Sequence, residues 1–320
     1  MTKRILILVA MTALLFLLPA CNDDDECPTC PDTGTPAPTM ANIWPHADGT
    51  AWTFDGVYRE STVPTPVKDY GTEIPPMDDL HAALGEPLPG VVTMEEDGLY
   101  RFAFDGETTT LSGATGQKVV ETMFAAPPED GPDPLLALIA RARPDLRPAL
   151  AARYGIGTKD FSEVPGSPYF LGGYCFSAEE EGYFGYGDVD QNHSWVYLEG
   201  DLSVGSEFSL QLVPALTDGV WLYGRVWSLG DRTVNGIDYE NVLEVMYVID
   251  LGESMVTDEQ GNLLGTSHPY MYGNSFFVPE VGPVEGTERR VFPTPDPVEK
   301  SVEGEYFEYV FDLVGVTFAE

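Results

Sequence analysis

The 320-residue chain carries 52 acidic side chains against 16 Lys and Arg, a formal net charge of −36. A surface of that sign repels phosphate backbones and anionic headgroups, which excludes a nucleic-acid binder and a direct reader of anionic lipid surfaces. The chain is long enough to bury a sizeable core, and its four cysteines are too few to form a disulfide framework.

In chain order, Lys3 and Arg4 form a basic start, and Ile5 to Leu18 form an almost unbroken apolar stretch of 14 residues, too short to span a bilayer as a helix. The stretch closes on Leu18-Pro19-Ala20-Cys21, which resembles the lipobox of bacterial lipoproteins. The resemblance implies that residues 1–20 are a signal peptide and that Cys21 receives the lipid. It also implies a membrane partner reached through Cys21 and a place in the cell envelope, with Asn22 pointing to the outer membrane or cell surface. Cleavage removes two cations and no acid, so the mature charge becomes −38. An acyl chain contributes about 0.8 kcal/mol per buried CH₂, so several chains together make a lasting anchor.

Residues 21–40, CNDDDECPTCPDTGTPAPTM, contain nothing that can pack and read as an acidic, Pro-rich tether. Cys27 and Cys30 form a C-x-x-C without the second pair that zinc needs or the strand and helix that thioredoxin-like chemistry needs, so they read as a small disulfide or an inert tether motif.

From residue 41 to 320 the expectation is a single β-rich envelope domain, either one large sheet or two similar halves, 41–125 and 168–320, around a helix. Short aromatic and β-branched runs between Gly and Pro predict antiparallel strands. Tyr100, Phe102 and Phe104 alternate with Arg101, Ala103 and Asp105, so one face of that run is buried. The same period recurs at Phe208, Leu210 and Leu212, and at Phe307, Tyr309, Phe311 and Leu313. Further strands are expected near 51–58, 117–124, 169–177, 194–199, 220–229, 241–250, 270–279 and 284–292. VNGID at 234–238 and DEQGN at 258–262 read as turns. Gly49-Thr-Ala-Trp-Thr-Phe54 is echoed at Gly205-Ser-Glu-Phe-Ser-Leu210, each opening a run of strands after a turn. The segment 134–154, rich in Ala, Leu and Arg, predicts the main helix, with Pro144 and Pro148 breaking it in two. Its arginines, Arg141, Arg143, Arg147 and Arg153, are expected to pair with the acidic rim of the sheet.

The segment Ile43-Trp44-Pro45-His46-Ala47-Asp48-Gly49-Thr50-Ala51-Trp52-Thr53-Phe54 resembles the opening of many uncharacterised envelope lipoproteins. Val234 to Val245, Tyr270 to Phe277 and Val281-Gly282-Pro283-Val284-Glu285 are similar to their C-terminal half. The resemblance implies a curved antiparallel sheet or half-barrel with a helix across its open side, as in LolA, LolB and LppX-like carriers. Pro283 and the long 60–97 and 125–168 segments depart from that pattern. Such a fold offers a concavity for a hydrophobic small molecule or lipid. Trp195, Trp221, Tyr223, Trp227, Phe102 and Phe104 are the aromatics that could line it, and core packing explains each of them equally well.

Asp188, Asp190, Asn192 and Glu199 stand at positions 1, 3, 5 and 12 of a calcium-loop spacing, but His193 replaces the turn glycine and no helix flanks it. An acidic turn explains the spacing, and no cofactor other than calcium is suggested. No catalytic motif occurs, so the sequence does not indicate an enzyme. The leading reading is a lipid-anchored, non-enzymatic envelope protein that binds a hydrophobic or envelope-derived ligand in a half-barrel. The alternative is a surface-exposed structural or adhesion module, stabilised by calcium in one version, with an aromatic patch outside the sheet. A hydrolase pairing Cys175 or a serine with a histidine comes third.

Overall fold

In a computed structural model, the structure describes residues 35–65, 73–109, 113, 115–122, 139–140, 142–154, 175–186, 194–212, 219–258, 260–296 and 301–319. Residues 35–320 form one compact unit. The signal, Cys21, Cys27, Cys30 and residues 134–138 lie outside the described residues. Residues 35–40, read as tether from composition, pack with the domain: Asn241 Nδ2 donates to the Thr35 carbonyl, and the Tyr183 hydroxyl donates to the Met40 carbonyl.

The described residues form fourteen strands: β1 (Ala51–Thr65), β2 (Val91–Thr109), β3 (Thr115–Thr122), β4 (Cys175–Ala178), β5 (Gly182–Tyr186), β6 (Ser194–Glu199), β7 (Glu207–Gln211), β8 (Trp221–Val234), β9 (Ile237–Asp250), β10 (Ser254–Thr257), β11 (Leu263–Ser267), β12 (Tyr270–Val278), β13 (Gly282–Asp296) and β14 (Ser301–Thr317). All but β10 and β11, a separate hairpin, belong to one antiparallel sheet in the order β6-β5-β4-β3-β2-β1-β14-β13-β12-β9-β8-β7. The sheet is an up-and-down meander curled into a nearly closed barrel. The chain's first and last strands, β1 and β14, zip together from Ala51↔Thr317 to Thr65↔Val302. Its two edges, β6 and β7, are consecutive in sequence yet not hydrogen-bonded as neighbours in the sheet. Strands of 51–122 and, apart from the β10–β11 hairpin, of 175–317 thus share one sheet. The Gly49 and Gly205 echo is one strand-opening turn used twice, with φ of +87° and +92°.

The alternation expected from the sequence is what the sheet uses. Tyr100, Phe102 and Phe104 are buried while Arg101 and Asp105 are exposed; Ala103, between them on the face opposite the three aromatics, is buried as well, and Phe307, Tyr309, Phe311 and Leu313 all face the core. Asn235 and Gly236, at φ +48° and +78°, form the β8–β9 turn that the Asn-Gly pair predicts. Several strands run longer than expected. β1 continues to Thr65 and β2 begins at Val91, in a half where Val91 and Val92 are exposed and the apolar alternation is lost.

Helical segments among the described residues pack against the sheet. Pro144 opens a 3₁₀ turn, Pro144–Leu146, and α2 spans Arg147–Tyr154 with Pro148 in its first turn, where a missing N–H is tolerated. Ile139, Ala140, Ala142 and Leu150 bury themselves in the barrel's core. Arg143 pairs with Asp145 two residues away, and its Nη1 donates to the Leu251 carbonyl; Arg147 Nε donates to the Ala140 carbonyl. These bonds of Arg143 and Arg147 thus reach Asp145 and Ala140 within the segment and the Leu251 carbonyl at the end of β9. Arg141 and the Arg153 side chain lie outside the described residues.

The other helix, α1 (Met77–Leu84), was not expected. It packs on the outer face of the sheet, where Leu80 meets Met246, Val248, Tyr272 and Val291. Arg289, almost fully buried, holds α1 by donating to the carbonyls of Ala83 and Glu86 while pairing with Glu308. A cation at a helix C-terminus satisfies orphan carbonyls and complements the helix dipole.

Candidate functional site

Residues just past the tether fill the described barrel interior at one end. Trp44 is fully buried against Trp52, Phe102, Phe176, Tyr183, Tyr197 and Phe277, with ring centroids 4.9–6.2 Å away. Trp52 Nε1 donates to the Val281 carbonyl at 2.6 Å, and the Tyr247 hydroxyl donates across the interior to the Tyr197 carbonyl. Rings packed this closely leave a core here rather than a concavity for a ligand.

Further along, the inner face carries ionisable groups. Glu288 and Arg290 form a buried ion pair, with the guanidinium 4.9 Å from the centroid of Tyr309. Tyr100 donates to Glu121 Oε1 at 2.5 Å. Burial pushes the Glu121 carboxyl up to about 7 against the lowering effect of that hydrogen bond. Cys175 is a free, fully buried thiol, and burial pushes it up to about 11, far from the depressed range of a nucleophilic cysteine.

The outer face of β8 is different. Leu222, Gly224 and Val226 point inward, so Trp221, Tyr223, Arg225 and Trp227 point out. Trp221 and Tyr223 lie near-parallel at 6.2 Å, and the Arg225 guanidinium stands 5.4 Å from the centroid of Trp227. His81 of α1 stacks on Trp227 at 4.0 Å. Beside this row is a groove of about 290 Å³ lined by Met77, Glu207, Phe208, Ser209, Tyr223 and Gly224. On the inner face of the same strand Gly224 is required, because a Cβ would lie 2.0 Å from the ring of Phe208, a member of the core cluster.

Below the row, Glu244 accepts from His81 Nε2 at 2.8 Å, Ser228 Oγ at 2.7 Å and Asn274 Nδ2 at 2.8 Å. Ser228 and His81 thus both spend their hydrogen bonds on one carboxylate. That arrangement anchors α1 and does not activate the serine, since a triad requires the histidine to bond the nucleophile.

The six aromatics proposed as a lining are divided by the structure. Phe102, Phe104 and Trp195 are buried in the core cluster, whereas Trp221, Tyr223 and Trp227 lie on the opposite face, so the six do not line one concavity. The two-residue period correctly groups Trp221, Tyr223 and Trp227, but it cannot say which face closes into the barrel. Of the calcium-spaced residues, Asp188, Asp190 and Asn192 lie outside the described residues, and Glu199 ends β6. Among the described residues no cluster of His, Cys, Asp and Glu suits a metal ion, and no helix is long and apolar enough to cross a membrane. Sequence reading missed Met77, His81, Glu207 and Arg225. The signal for α1 was present: Pro76, two acids in the first turn, apolar Leu80, Ala83 and Leu84, and Gly85 at the end.

Fold and groove together define an up-and-down antiparallel β-barrel with an aromatic groove on its outer wall. No protein-family profile matches the sequence, and no curated protein matches it. Similar solved structures include lipovitellin, studied for its lipid–protein interactions (11% identity, TM-score 0.33, 86% of this chain). The chain spans about a quarter, 26%, of that lipovitellin chain. A candidate exported protein with a YmcC-like fold from Bacteroides fragilis shares 10% identity at a TM-score of 0.27, covering 87% of this chain and 99% of its own. A candidate lipoprotein from Parabacteroides distasonis shares 12% at 0.25, covering 86% and 98%.

Proposed function

We propose that this protein is a lipid-anchored, non-enzymatic protein of the bacterial cell envelope, at the outer membrane or cell surface, that presents a ligand-binding surface on the outer wall of its barrel. The observation that carries the reading is the division of the aromatics. Trp44, Phe102 and Phe104 are spent on packing, whereas Trp221, Tyr223 and Trp227 stand on the outer face beside an open groove. Buried aromatics are explained by the core they build, and an outward-facing row in which Tyr223 is exposed and Trp221 and Trp227 are half-buried, next to a concavity, is what binding surfaces use. A hydrophobic ligand inside the barrel would have to displace the Trp44 cluster, so the outer groove is the better site for it. The lipobox-like Leu18-Pro19-Ala20-Cys21 supports the anchor.

Detergent phase partitioning tests the anchor: the native chain is expected in the detergent phase and Cys21→Ser in the aqueous phase. Acrylamide quenching tests the surface, with Trp221→Phe and Trp227→Phe removing accessible fluorescence and Trp44→Phe removing protected fluorescence. A native chain found in the aqueous phase sinks the anchor, and protected Trp221 and Trp227 sink the surface.

A further inference from the structure

We infer that the barrel stands on the bilayer with its tether-side end down, placing Ile237, Val314 and Phe318 in the headgroup region of a zwitterionic phospholipid surface. The inference goes beyond the ligand-binding wall and rests on the lipid anchor proposed above.

Hydrogen bonds fix the end of the barrel at which the tether arrives. Asn241, near the start of β9, donates to the Thr35 carbonyl, and Tyr183 of β5 donates to the Met40 carbonyl. The backbone N–H of Glu280, in the β12–β13 turn, donates to the Asn42 carbonyl. The opening of β1 and the close of β14 lie at the same end, paired Ala51↔Thr317.

Exposed apolar side chains gather there. Asn235 Nδ2 donates to the Leu313 carbonyl at 2.9 Å, which sets Ile237, two residues on, close to Val314. Phe318 follows directly on β14, and a Cβ on Gly49, where β1 is entered, would lie 3.8 Å from the Cβ of the next residue, Ala319. Ile237 is 54% exposed, Phe318 50% and Val314 46%. Large apolar side chains grouped beside the exit of a membrane tether are what an interfacial contact uses.

Chain length decides which end meets the membrane. The 14 residues from Cys21 to Gly34 bridge at most about 50 Å when fully extended. β1, with 15 residues, runs about 50 Å, or about 35–40 Å along the axis of a barrel with the usual strand tilt. A bilayer at the far end, where Val91 and Val92 are exposed, would need most of that reach laid straight along the wall. One at the near end needs little of it. Charge then selects the lipid: Asp231, Asp238 and Glu240 are exposed on the β8–β9 hairpin that carries Ile237, and they repel anionic headgroups.

The test uses the full lipidated chain with Cys27→Ser and Cys30→Ser, floated with phosphatidylcholine vesicles. An NBD fluorophore is attached at Ala319→Cys or, at the opposite end, at Val92→Cys; Cys175 is buried and stays unlabelled. Nitroxide lipids should quench the first label at least about twofold more than the second, since an interfacial contact sits about 5–10 Å into the headgroup and acyl boundary. Ile237→Glu with Val314→Glu should bring the first down towards the second, and so should added phosphatidylglycerol. Circular dichroism checks that each variant folds. Vesicle-bound chain in which the Ala319→Cys label is quenched no more than the Val92→Cys label overturns the inference and leaves the anchor standing. So does an Ala319→Cys label shielded from water but untouched by lipid nitroxide, the mark of a second copy covering this end. A chain that fails to float removes the anchor, and the orientation with it.

Discussion

His81 lies flat on Trp227, ring centroids 4.0 Å apart and planes 18° from parallel, while its Nε2 donates to Glu244 at 2.8 Å. One side chain thereby ties α1 to both the aromatic row and the polar centre of the outer wall. Glu244 is buried and holds three donors, so removing it strands Ser228 and Asn274 as well as His81.

Glu244→Ala is therefore expected to lower stability by about 2–3 kcal/mol, the cost of leaving buried donors unpaired, and Glu244→Gln by less. The urea midpoint should fall without a change in slope. An unchanged midpoint would show that the Glu244 contacts do not hold α1.

Trp44 joins the segment following the tether to the barrel's core. Trp44→Ala is expected to cost about 3–5 kcal/mol as a large-to-small core change. Its Nε1 is buried with no hydrogen-bond acceptor among the described residues. Trp44→Phe discards that unsatisfied donor along with part of the ring, so its cost should be roughly half as large. Equal losses for the two variants would mean the indole N–H contributes more than the structure accounts for.

Glu121 sets a pH dependence. Its folded carboxyl titrates near 7, above the unfolded value of 4.5, because burial disfavours the charge. The folded state then binds the proton more tightly, so this contribution is complete below about pH 4.5 and is lost as pH rises through 7. Glu121→Gln should remove the decline and be more stable than wild type at pH 8, by about 1–3 kcal/mol. Parallel stability curves for the two proteins from pH 4 to 8 would refute the assignment.

Cys175, buried with its thiol pushed up to about 11, is expected to resist alkylation at neutral pH in the folded chain and to react on unfolding in urea. Mass spectrometry of the peptide containing Cys175 separates it from the other cysteines. Rapid native labelling would instead indicate an accessible, activated thiol.

Strand positions were legible wherever one face is buried. The alternation at 100–104 and 307–313 marks the core side because a strand presents successive side chains to opposite faces. The Asn235-Gly236 turn was legible because few residues adopt its backbone at low cost. Where both faces meet water, as at Val91 and Val92, or both are covered, as along β9 from Val242 to Val248, the pattern loses its period and the strand ends become invisible. The candidate site was half legible. Trp221, Tyr223 and Trp227 stood out as aromatics, but their partners His81, Asp78 and Glu207 come from distant segments.

The sequence by itself determined the acidic charge, the β-rich class, the lipobox-like cysteine and the period that sets Trp221, Tyr223 and Trp227 on one face. Local composition and two-residue spacing are enough for those. Only the tertiary structure decided which face became the inside. That choice depends on β1 pairing with β14 across some 250 residues of chain and on Trp44 and α1 covering opposite walls. Contacts so far apart in sequence leave no periodic trace, so the outer groove emerges only once the sheet has curled.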